Sequence, residues 1–201
     1  MNTADDKTPG VPRAWQRMLS GRRLNIVDPS PLDIEIEDIA LGLSRVSRWN
    51  GQTVGPHGFS VAQHCVVVTE IMAGRKNGLP EPGLLAGLLH DAAEYVTSDL
   101  ISPFKVAIGD SYRSVEDRLQ EAVHIRFGLP PILPADWKRE IKKADGISCV
   151  AEAVELAGFQ ATEARRVFGY RGRIPKLGLS PWEAERARDA FLARFAELSA
   201  R

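Results

Sequence analysis

The stretch Leu84–Asp99 restricts the fold of this 201-residue chain more than any other segment. It begins as an apolar run and then places His90, Asp91, Glu94 and Asp99 within ten residues. Residues three or four apart are neighbours on a helix surface, so a continuous helix would place Glu94 beside His90 and Asp91. Burying an unpaired charge costs several kcal/mol. A bound metal ion would compensate that cost at the end of a buried leucine run.

The spacing of apolar residues predicts an all-α fold, a compact multi-helix bundle in one domain that covers residues 1–201. No set of alternating segments indicates a sheet. Residues 1–12 are expected to form a flexible leader. Helices are predicted at Ala14–Leu19, Ile36–Ser47, Val61–Ala73, Leu84–Glu94, Val115–Phe127, Pro134–Gly158 and Gln160–Phe168, with a last helix that ends near Leu198.

Local signals predict where some of these helices begin and end. Ser60 is a good N-cap for the helix that starts at Val61. The segment Ser180-Pro-Trp-Glu183 has the pattern of a capping box and predicts the start of the last helix. Asn50-Gly51 predicts a stop and a turn after Arg48-Trp49.

Composition excludes some classes of partner. Lys+Arg and Asp+Glu both number 26, so no net charge attracts the chain to a nucleic acid polymer. No apolar run reaches the length of a membrane span, and the N-terminus has no secretory signal. Cys65 and Cys149 are far apart and are expected to be reduced, small buried hydrophobic residues. We therefore expect a cytoplasmic protein without a membrane partner.

Three segments carry residues of the kind that bind metals. His64 follows the Ser60 cap, His90-Asp91 follows the leucine run, and Asp145 lies between buried positions of a long predicted helix. Side chains from facing helices of a bundle often build a metal site. Two imidazoles and two carboxylates suit a divalent transition metal. Such an ion lowers the pKa of bound water and polarises phosphorus–oxygen bonds.

The order His, His-Asp, Asp resembles that of the HD-domain metal-dependent phosphohydrolases. The similarity is greatest to the branch that contains the bacterial 5′-deoxynucleotidases, which carry an Arg-Trp pair after an early helix, matched here by Arg48-Trp49. It covers about residues 35–160. The matching segments are Ser60-Val-Ala-Gln-His64, Leu88-Leu-His-Asp-Ala-Ala-Glu94, Thr97-Ser-Asp-Leu100 and Lys143-Ala-Asp145.

The resemblance implies a metal site of one divalent ion, with Co, Mn, Fe, Ni, Zn and Mg all open as its identity. Its ligands would be His64, His90, Asp91 and Asp145. The implied substrate is a small-molecule nucleotide, and the implied reaction is hydrolysis of the 5′-phosphate of deoxynucleoside monophosphates. A homodimer is compatible with the sequence.

The resemblance also implies roles for four further residues. Glu94 and Asp99 would be catalytic, because they match acids that orient or deprotonate the attacking water and assist the leaving oxygen. Arg48 and Trp49 would bind substrate. Arg48 would hold the 5′-phosphate, and the bulk of Trp49 would leave no room for a 2′-hydroxyl on the sugar.

Two other functions fit the same motifs. One is a dNTP triphosphohydrolase of the same fold, in which a basic group could reach the β- and γ-phosphates: Arg165, Arg166, Arg171 and Arg173. The other is a catalytically idle HD module that binds a nucleotide. Release of inorganic triphosphate would identify the first, and binding without turnover the second.

Several of these residues have a purely structural alternative. His64 could be a hydrogen-bonded core histidine, Arg48-Trp49 could be a helix-terminal cation beside a core aromatic, and Asp99 could be an N-cap. Other ionisable residues are weaker candidates. His57 could reach the site but is expected in solvent, and His124 is expected to be structural. Glu152, seven residues after Asp145, could face the site, but a helix surface or a salt bridge is favoured.

Overall fold

Nine helices and one short hairpin make up residues 14–75 and 78–200, the parts of the chain that this computed structural model describes. The hairpin pairs β1 (Trp15–Arg17) with β2 (Arg23–Asn25) in antiparallel register. Short 3-10 turns lie at Pro31–Asp33 and Arg48–Gly51. The predicted all-α bundle is confirmed, while the predicted leader over residues 1–12 lies outside the described residues. The helices are α1 (Ile36–Arg45), α2 (Val61–Ala73), α3 (Glu81–Leu88), α4 (Glu94–Thr97), α5 (Ser102–Ile108), α6 (Asp110–Arg126), α7 (Ala135–Glu155), α8 (Ala161–Val167) and α9 (Ala184–Ser199).

Helix α2 lies at the centre of the bundle because it has almost no polar face. Every residue from Val61 to Thr69 is buried, and so is Met72. A helix that is apolar all round is stable only inside a protein, and α1, α3, α7 and α9 pack around it. Burial of each large aliphatic side chain contributes about 1.5–3 kcal/mol. This packing fixes the position of His64 in the first turn of α2.

The start of α2 also fixes the turn that carries Arg48. Ser60 is the predicted N-cap, and its hydroxyl accepts a hydrogen bond from the backbone N–H of Gln63 at 3.2 Å. Just before it, the backbone N–H of Arg48 donates to the carbonyl of Phe59 at 2.8 Å. Ser47 and Ser60 form an isolated antiparallel bridge. These bonds bring Arg48 close to the helix that carries His64.

The predicted helix at Ala14–Leu19 is wrong. Its apolar residues Trp15 and Met18 are three apart, which fits a helix, but the segment forms β1 and pairs with β2 instead. The chain reverses between the two strands at Gly21, whose φ of 100° a glycine adopts without strain. The pairing partner lies outside the local sequence window, so the apolar spacing alone could not reveal it.

The predicted capping box at Ser180–Glu183 is also wrong. Helix α9 begins at Ala184, and no side chain caps its N-terminus. The segment before it is held by Gln63 of α2 instead. The amide of Gln63 donates to the carbonyl of Ser180 at 2.8 Å and accepts from the backbone N–H of Trp182 at 2.9 Å. This contact across the fold holds residues 180–182, which lie outside α9.

The two longest helices are α6 and α7, and α7 carries the predicted ligand Asp145. The buried face of α7 carries Ile141, Ala144, Ser148 and Glu152, so two polar side chains point into the protein there. Neither α6, α7 nor any other helix in the described ranges is long and apolar enough to cross a membrane.

Candidate metal centre

His90 and Asp91 lie in a turn between two helices, not on one continuous helix. Helix α3 ends at Leu88 and α4 begins at Glu94. Between them the backbone bonds are mostly of the tighter i→i+3 kind, as from the N–H of Glu94 to the carbonyl of Asp91 at 3.0 Å. The predicted helix across residues 84–94 is therefore wrong. The tighter turn nevertheless places both side chains at the cluster described next.

The four predicted metal ligands form one cluster. Nε2 of His64 is 3.3 Å from Oδ1 of Asp145 and 3.6 Å from Oδ2 of Asp91. Nε2 of His90 is 3.2 Å from the same oxygen of Asp91. The candidate ligand atoms of His64, His90 and Asp145 all lie within 4.8 Å of one another. These three residues could hold a metal ion, and Asp91 lies beside them.

The far side of each imidazole is held by an acceptor. Nδ1 of His90 is 2.8 Å from the carbonyl of Gly87, which can only accept, so Nδ1 carries a proton. Nδ1 of His64 is 2.6 Å from Oε1 of Glu152. Burial opposes the charge of Glu152, but His64 and Arg48 outweigh it and hold the pKa of Glu152 well below its usual range. The ionised carboxylate therefore accepts from Nδ1–H of His64.

This arrangement fits a metal ion. The Nε2 atoms of His64 and His90 are both buried, and neither makes a hydrogen bond within the described part of the protein. Oδ1 of Asp145 lies near Nε2 of His64, and Oδ2 of Asp91 lies near Nε2 of His90, but neither contact has hydrogen-bond geometry. An imidazole that donates its Nδ1–H to a carboxylate or carbonyl and presents Nε2 to a cation is the usual form of a metal-binding histidine.

Cys65 is a second candidate ligand near His90. Its sulfur groups with His90 and Asp91 within the same 4.8 Å limit. Cysteine binds metals as the thiolate, and burial raises the pKa of the Cys65 thiol. We therefore favour the set of His64, His90 and Asp145 over the set that contains the thiol.

Glu152 is the main residue of this site that the sequence did not identify. The expected place on a helix surface is wrong, because the side chain is fully buried. The alternative, a salt bridge, is confirmed by its contacts with His64 and Arg48. Besides His64, it accepts from the Ser148 hydroxyl at 2.7 Å, from Nε1 of Trp49 at 2.9 Å and from Nε of Arg48 at 3.4 Å. Its place seven residues after Asp145 was the available signal, because that spacing repeats a helix face.

Arg48 and Trp49 lie against this carboxylate, in the 3-10 turn after α1. Trp49 has a φ of 59°, a left-handed conformation that is costly for a bulky residue and often occurs at functional sites. Its ring packs against Phe159 and Phe168, with centroids 5.9 and 5.8 Å away. Nη1 of Arg48 is 3.7 Å from Asp91 and also 3.7 Å from Asp99.

The two predicted catalytic acids flank the cluster. Burial, with the charges of Asp91 and Asp99, raises the pKa of Glu94 to about 8. One oxygen of Glu94 is 3.4 Å from Nζ of Lys105, and the other is buried without a hydrogen-bond partner among the described residues. Burial also raises the pKa of Asp99, although Arg48 opposes this. Both acids thus keep a proton to higher pH than a free carboxyl group does, and Glu94 does so up to about pH 8.

Two cavities open onto the cluster from the side of α6 and α7. The larger, about 550 Å³, reaches His90 and Asp145 and continues between α6 and α7. The smaller, about 210 Å³, reaches His90, Asp91 and Glu94. Neither cavity is lined by Trp49.

The remaining sequence candidates lie away from the cluster. His57 is exposed and its Nε2 is 3.8 Å from Glu183. His124 is buried and hydrogen-bonded to Gln120 and to the carbonyl of Pro131, which agrees with a structural role. The four arginines considered as polyphosphate ligands are all exposed.

Fold and site together define an all-α protein with a histidine–carboxylate cluster that could hold a metal ion. No family model matches the chain. It is 58% identical to the uncharacterized protein RCAP_rcc00048 of Rhodobacter capsulatus over 168 residues, which are 84% of this chain and 86% of that protein. The chain therefore belongs to the same family as that protein. It is also 32% identical to the uncharacterized Escherichia coli protein YfdR over 124 residues, 62% of each chain.

Proposed function

We propose that the protein is a metal-dependent phosphohydrolase of the HD-domain class, which removes the 5′-phosphate of deoxynucleoside monophosphates. The observation that carries this proposal is the pair of buried imidazoles whose Nε2 atoms face Asp91 and Asp145 without hydrogen bonds. The motif resemblance described above supplies the choice of reaction and substrate.

His64, His90, Asp91 and Asp145 would hold the divalent ion. When bound, such an ion polarises a phosphoryl oxygen and lowers the pKa of bound water. The chain contributes the charge arrangement around it. Each imidazole is locked in one orientation by its Nδ1 contact, and preorganised ligands of this kind need no rearrangement on binding.

Arg48 is suited to bind the phosphate of the substrate. Glu152 holds its Nε at 3.4 Å, while the contacts of Nη1 with Asp91 and Asp99 at 3.7 Å are longer than hydrogen bonds. The guanidinium is therefore oriented but keeps donors for phosphate oxygens. Planar guanidinium donors match the geometry of a phosphate better than a lysine does.

Glu94 and Asp99 would handle the protons of the reaction. Glu94 lines the smaller cavity, where its ionised form, which prevails above about pH 8, can accept a proton from the attacking water. Burial raises the pKa of Asp99, which favours its role as the group that gives a proton to the leaving oxygen. Both acids lie close enough to Asp91 for its charge to raise their pKa, and His90 holds the pKa of Asp91 itself well below its usual range despite burial.

The test is release of phosphate and triphosphate from dNMPs, NMPs and dNTPs, by protein stripped of metal and reloaded with Co²⁺, Mn²⁺ or Mg²⁺. We expect phosphate from dNMPs and little from NMPs. Glu94→Gln should abolish it, because the amide cannot accept the proton. Triphosphate from dNTPs would indicate the triphosphohydrolase instead, and nucleotide binding without turnover would indicate the idle module.

A further inference from the structure

The larger cavity has the size and position of a binding site for the organic part of a substrate. At about 550 Å³ it lies within the range of about 300–1,000 Å³ that is typical of ligand pockets. Its lining includes His90 and Asp145, where the phosphate would be held, and also Ile132 and Leu133. Ile132 and Leu133 precede α7, whereas Asp145 lies within that helix, so we place the two groups at opposite ends of the cleft. We propose that this α6–α7 cleft binds the nucleobase of a nucleoside 5′-monophosphate. The inference rests on the proposed function.

The walls of the cleft are two helix faces of opposite charge. Helix α6 contributes Asp117 and Glu121, and α7 contributes Lys138 and Lys142. Each pair is four residues apart, so its members lie on one face of their helix. Among the described residues, no ion pair crosses the cleft, so these groups are available to the polar edges of a ligand.

The charge balance selects the kind of ligand. The two acidic and two basic side chains of the walls balance in charge, and Asp145 at the metal end makes the lining as a whole slightly acidic. A neutral base can form hydrogen bonds with both walls at no electrostatic cost. A triphosphate chain in the same space would bring several negative charges into a lining in which three acidic groups outnumber the two lysines, and like-charge repulsion disfavours this. The cleft therefore favours monophosphates over triphosphates.

The far end of the cleft supplies an apolar contact for the base. Leu133 is buried, and Ile132 is 68% exposed although it is a large aliphatic residue. Covering Ile132 with a flat base would remove apolar surface from water. The competing place for the base is the aromatic cluster of Trp49, Phe159 and Phe168. Those rings already pack against one another, and Trp49 lines neither cavity.

A ligand-binding measurement on metal-free protein, which does not depend on turnover, tests the cleft directly. We would titrate the ¹⁵N-labelled full chain, stripped of metal, with 2′-deoxyadenosine and with dAMP, and follow the assigned backbone amide resonances. Shifts concentrated at residues 117–124 and 131–142 are expected with both ligands. Shifts concentrated at residues 159–168, or no shifts with either ligand, would overturn the proposal. The measurement needs no catalysis, so it tests base binding even if the protein hydrolyses no nucleotide.

Kinetics of the metal-loaded enzyme give a second test. Ile132→Asp should raise KM for dAMP about tenfold with little change in kcat, because it alters only a distant contact. Ile125→Asp is the matched control, since Ile125 is 49% exposed outside the cleft, and it should change neither constant. If Phe168→Ala raises KM for dAMP and Ile132→Asp does not, the base binds at the aromatic cluster. That result would overturn the cleft while leaving the proposed hydrolysis intact.

A double variant tests the effect of the acidic wall of the cleft. Asp117→Asn combined with Glu121→Gln removes the negative wall and should improve dATP binding relative to dAMP by roughly fivefold to tenfold, because the cleft becomes net positive. The variant must first show the native unfolding midpoint. If its ratio of dATP affinity to dAMP affinity is then unchanged, the cleft walls do not select monophosphates.

Discussion

Nδ1 of His64 and Oε1 of Glu152 are 2.6 Å apart, although the two residues are 88 positions apart in the chain. Both side chains are fully buried. The same carboxylate contacts Arg48 and Trp49. One buried anion therefore orients a candidate metal ligand and both candidate substrate-binding residues.

Replacing this anion should weaken metal binding. We expect Glu152→Gln to lower the affinity for Mn²⁺ or Co²⁺ by about 10- to 100-fold, because the acceptor that orients His64 loses its charge. Isothermal titration calorimetry measures the change. Glu155→Gln is the matched control on the same helix, since its carboxylate binds the backbone N–H groups of Leu177 and Leu179. Native metal affinity in Glu152→Gln would contradict the role of this anion.

Gln120 should be required for the His90-Asp91 turn. Its amide donates to the carbonyl of Leu89 at 2.7 Å and accepts from the N–H of Ala93 at 3.1 Å. Gln120→Leu leaves the N–H of Ala93 unpaired, while the carbonyl of Leu89 keeps only its bond from the N–H of Ala92. We therefore expect a loss of about 1–3 kcal/mol in the free energy of unfolding and weaker metal binding. Urea unfolding measures the first effect. The exposed Gln16 provides the control, and Gln16→Leu should change stability by less than about 0.5 kcal/mol.

Arg48 should act on substrate and not on metal retention. We expect Arg48→Ala to lower kcat/KM for dAMP by roughly 10²–10³-fold, as loss of a donor to a developing anion typically does. The metal should remain bound, because removing a nearby cation does not weaken binding of another cation. Arg45→Ala, on the exposed face of α1, should be silent. Simultaneous loss of metal in Arg48→Ala would contradict this separation.

The stability of the metal-free protein should fall as pH rises from 6.5 to 8. Asp91 and other partners outweigh burial and raise the pKa of His90 above its usual 6.5, so its stabilising proton is lost as pH rises through that raised value. Burial raises the pKa of Glu94 from 4.5 to about 8. Between these values the folded chain holds a proton that the unfolded chain has lost, so folding becomes less favourable as pH rises. Each group contributes up to roughly 1.4 kcal/mol per pH unit.

Thermal unfolding of metal-stripped protein across this range measures the effect. Glu94→Gln mimics the neutral acid and should make the decline shallower. Exposed Glu163→Gln is the control and should leave the slope unchanged. A flat profile in the native sequence, or a slope that Glu94→Gln does not alter, would contradict the assigned protonation of Glu94.

Local patterns were sufficient for most helices but not for contacts between distant segments. Helix α2 has the bounds that the Ser60 cap and its apolar run predict, since both signals act within one turn. The β1–β2 pairing and the hold of Gln63 on Ser180 depend on partners outside any local window. Propensity and capping rules therefore gave the wrong structure at both places.

The same limit applies to the site. The four candidate ligands could be named because their residue types and order are informative. The structure brings them together even though His90-Asp91 lies in a turn and not on a helix. The spacing from Asp145 indicated that Glu152 could face the site, but its role there depends on partners 88 to 104 residues away, which no spacing rule connects.

Metal binding by the intact chain tests the central claim most directly. We would titrate metal-stripped protein with Mn²⁺ or Co²⁺ by calorimetry. We expect one equivalent to bind, with strong loss of affinity in His90→Ala and Asp145→Ala and none in His57→Ala, whose histidine lies outside the cluster. No binding, or equal affinity in His90→Ala and His57→Ala, would contradict a metal centre at these residues.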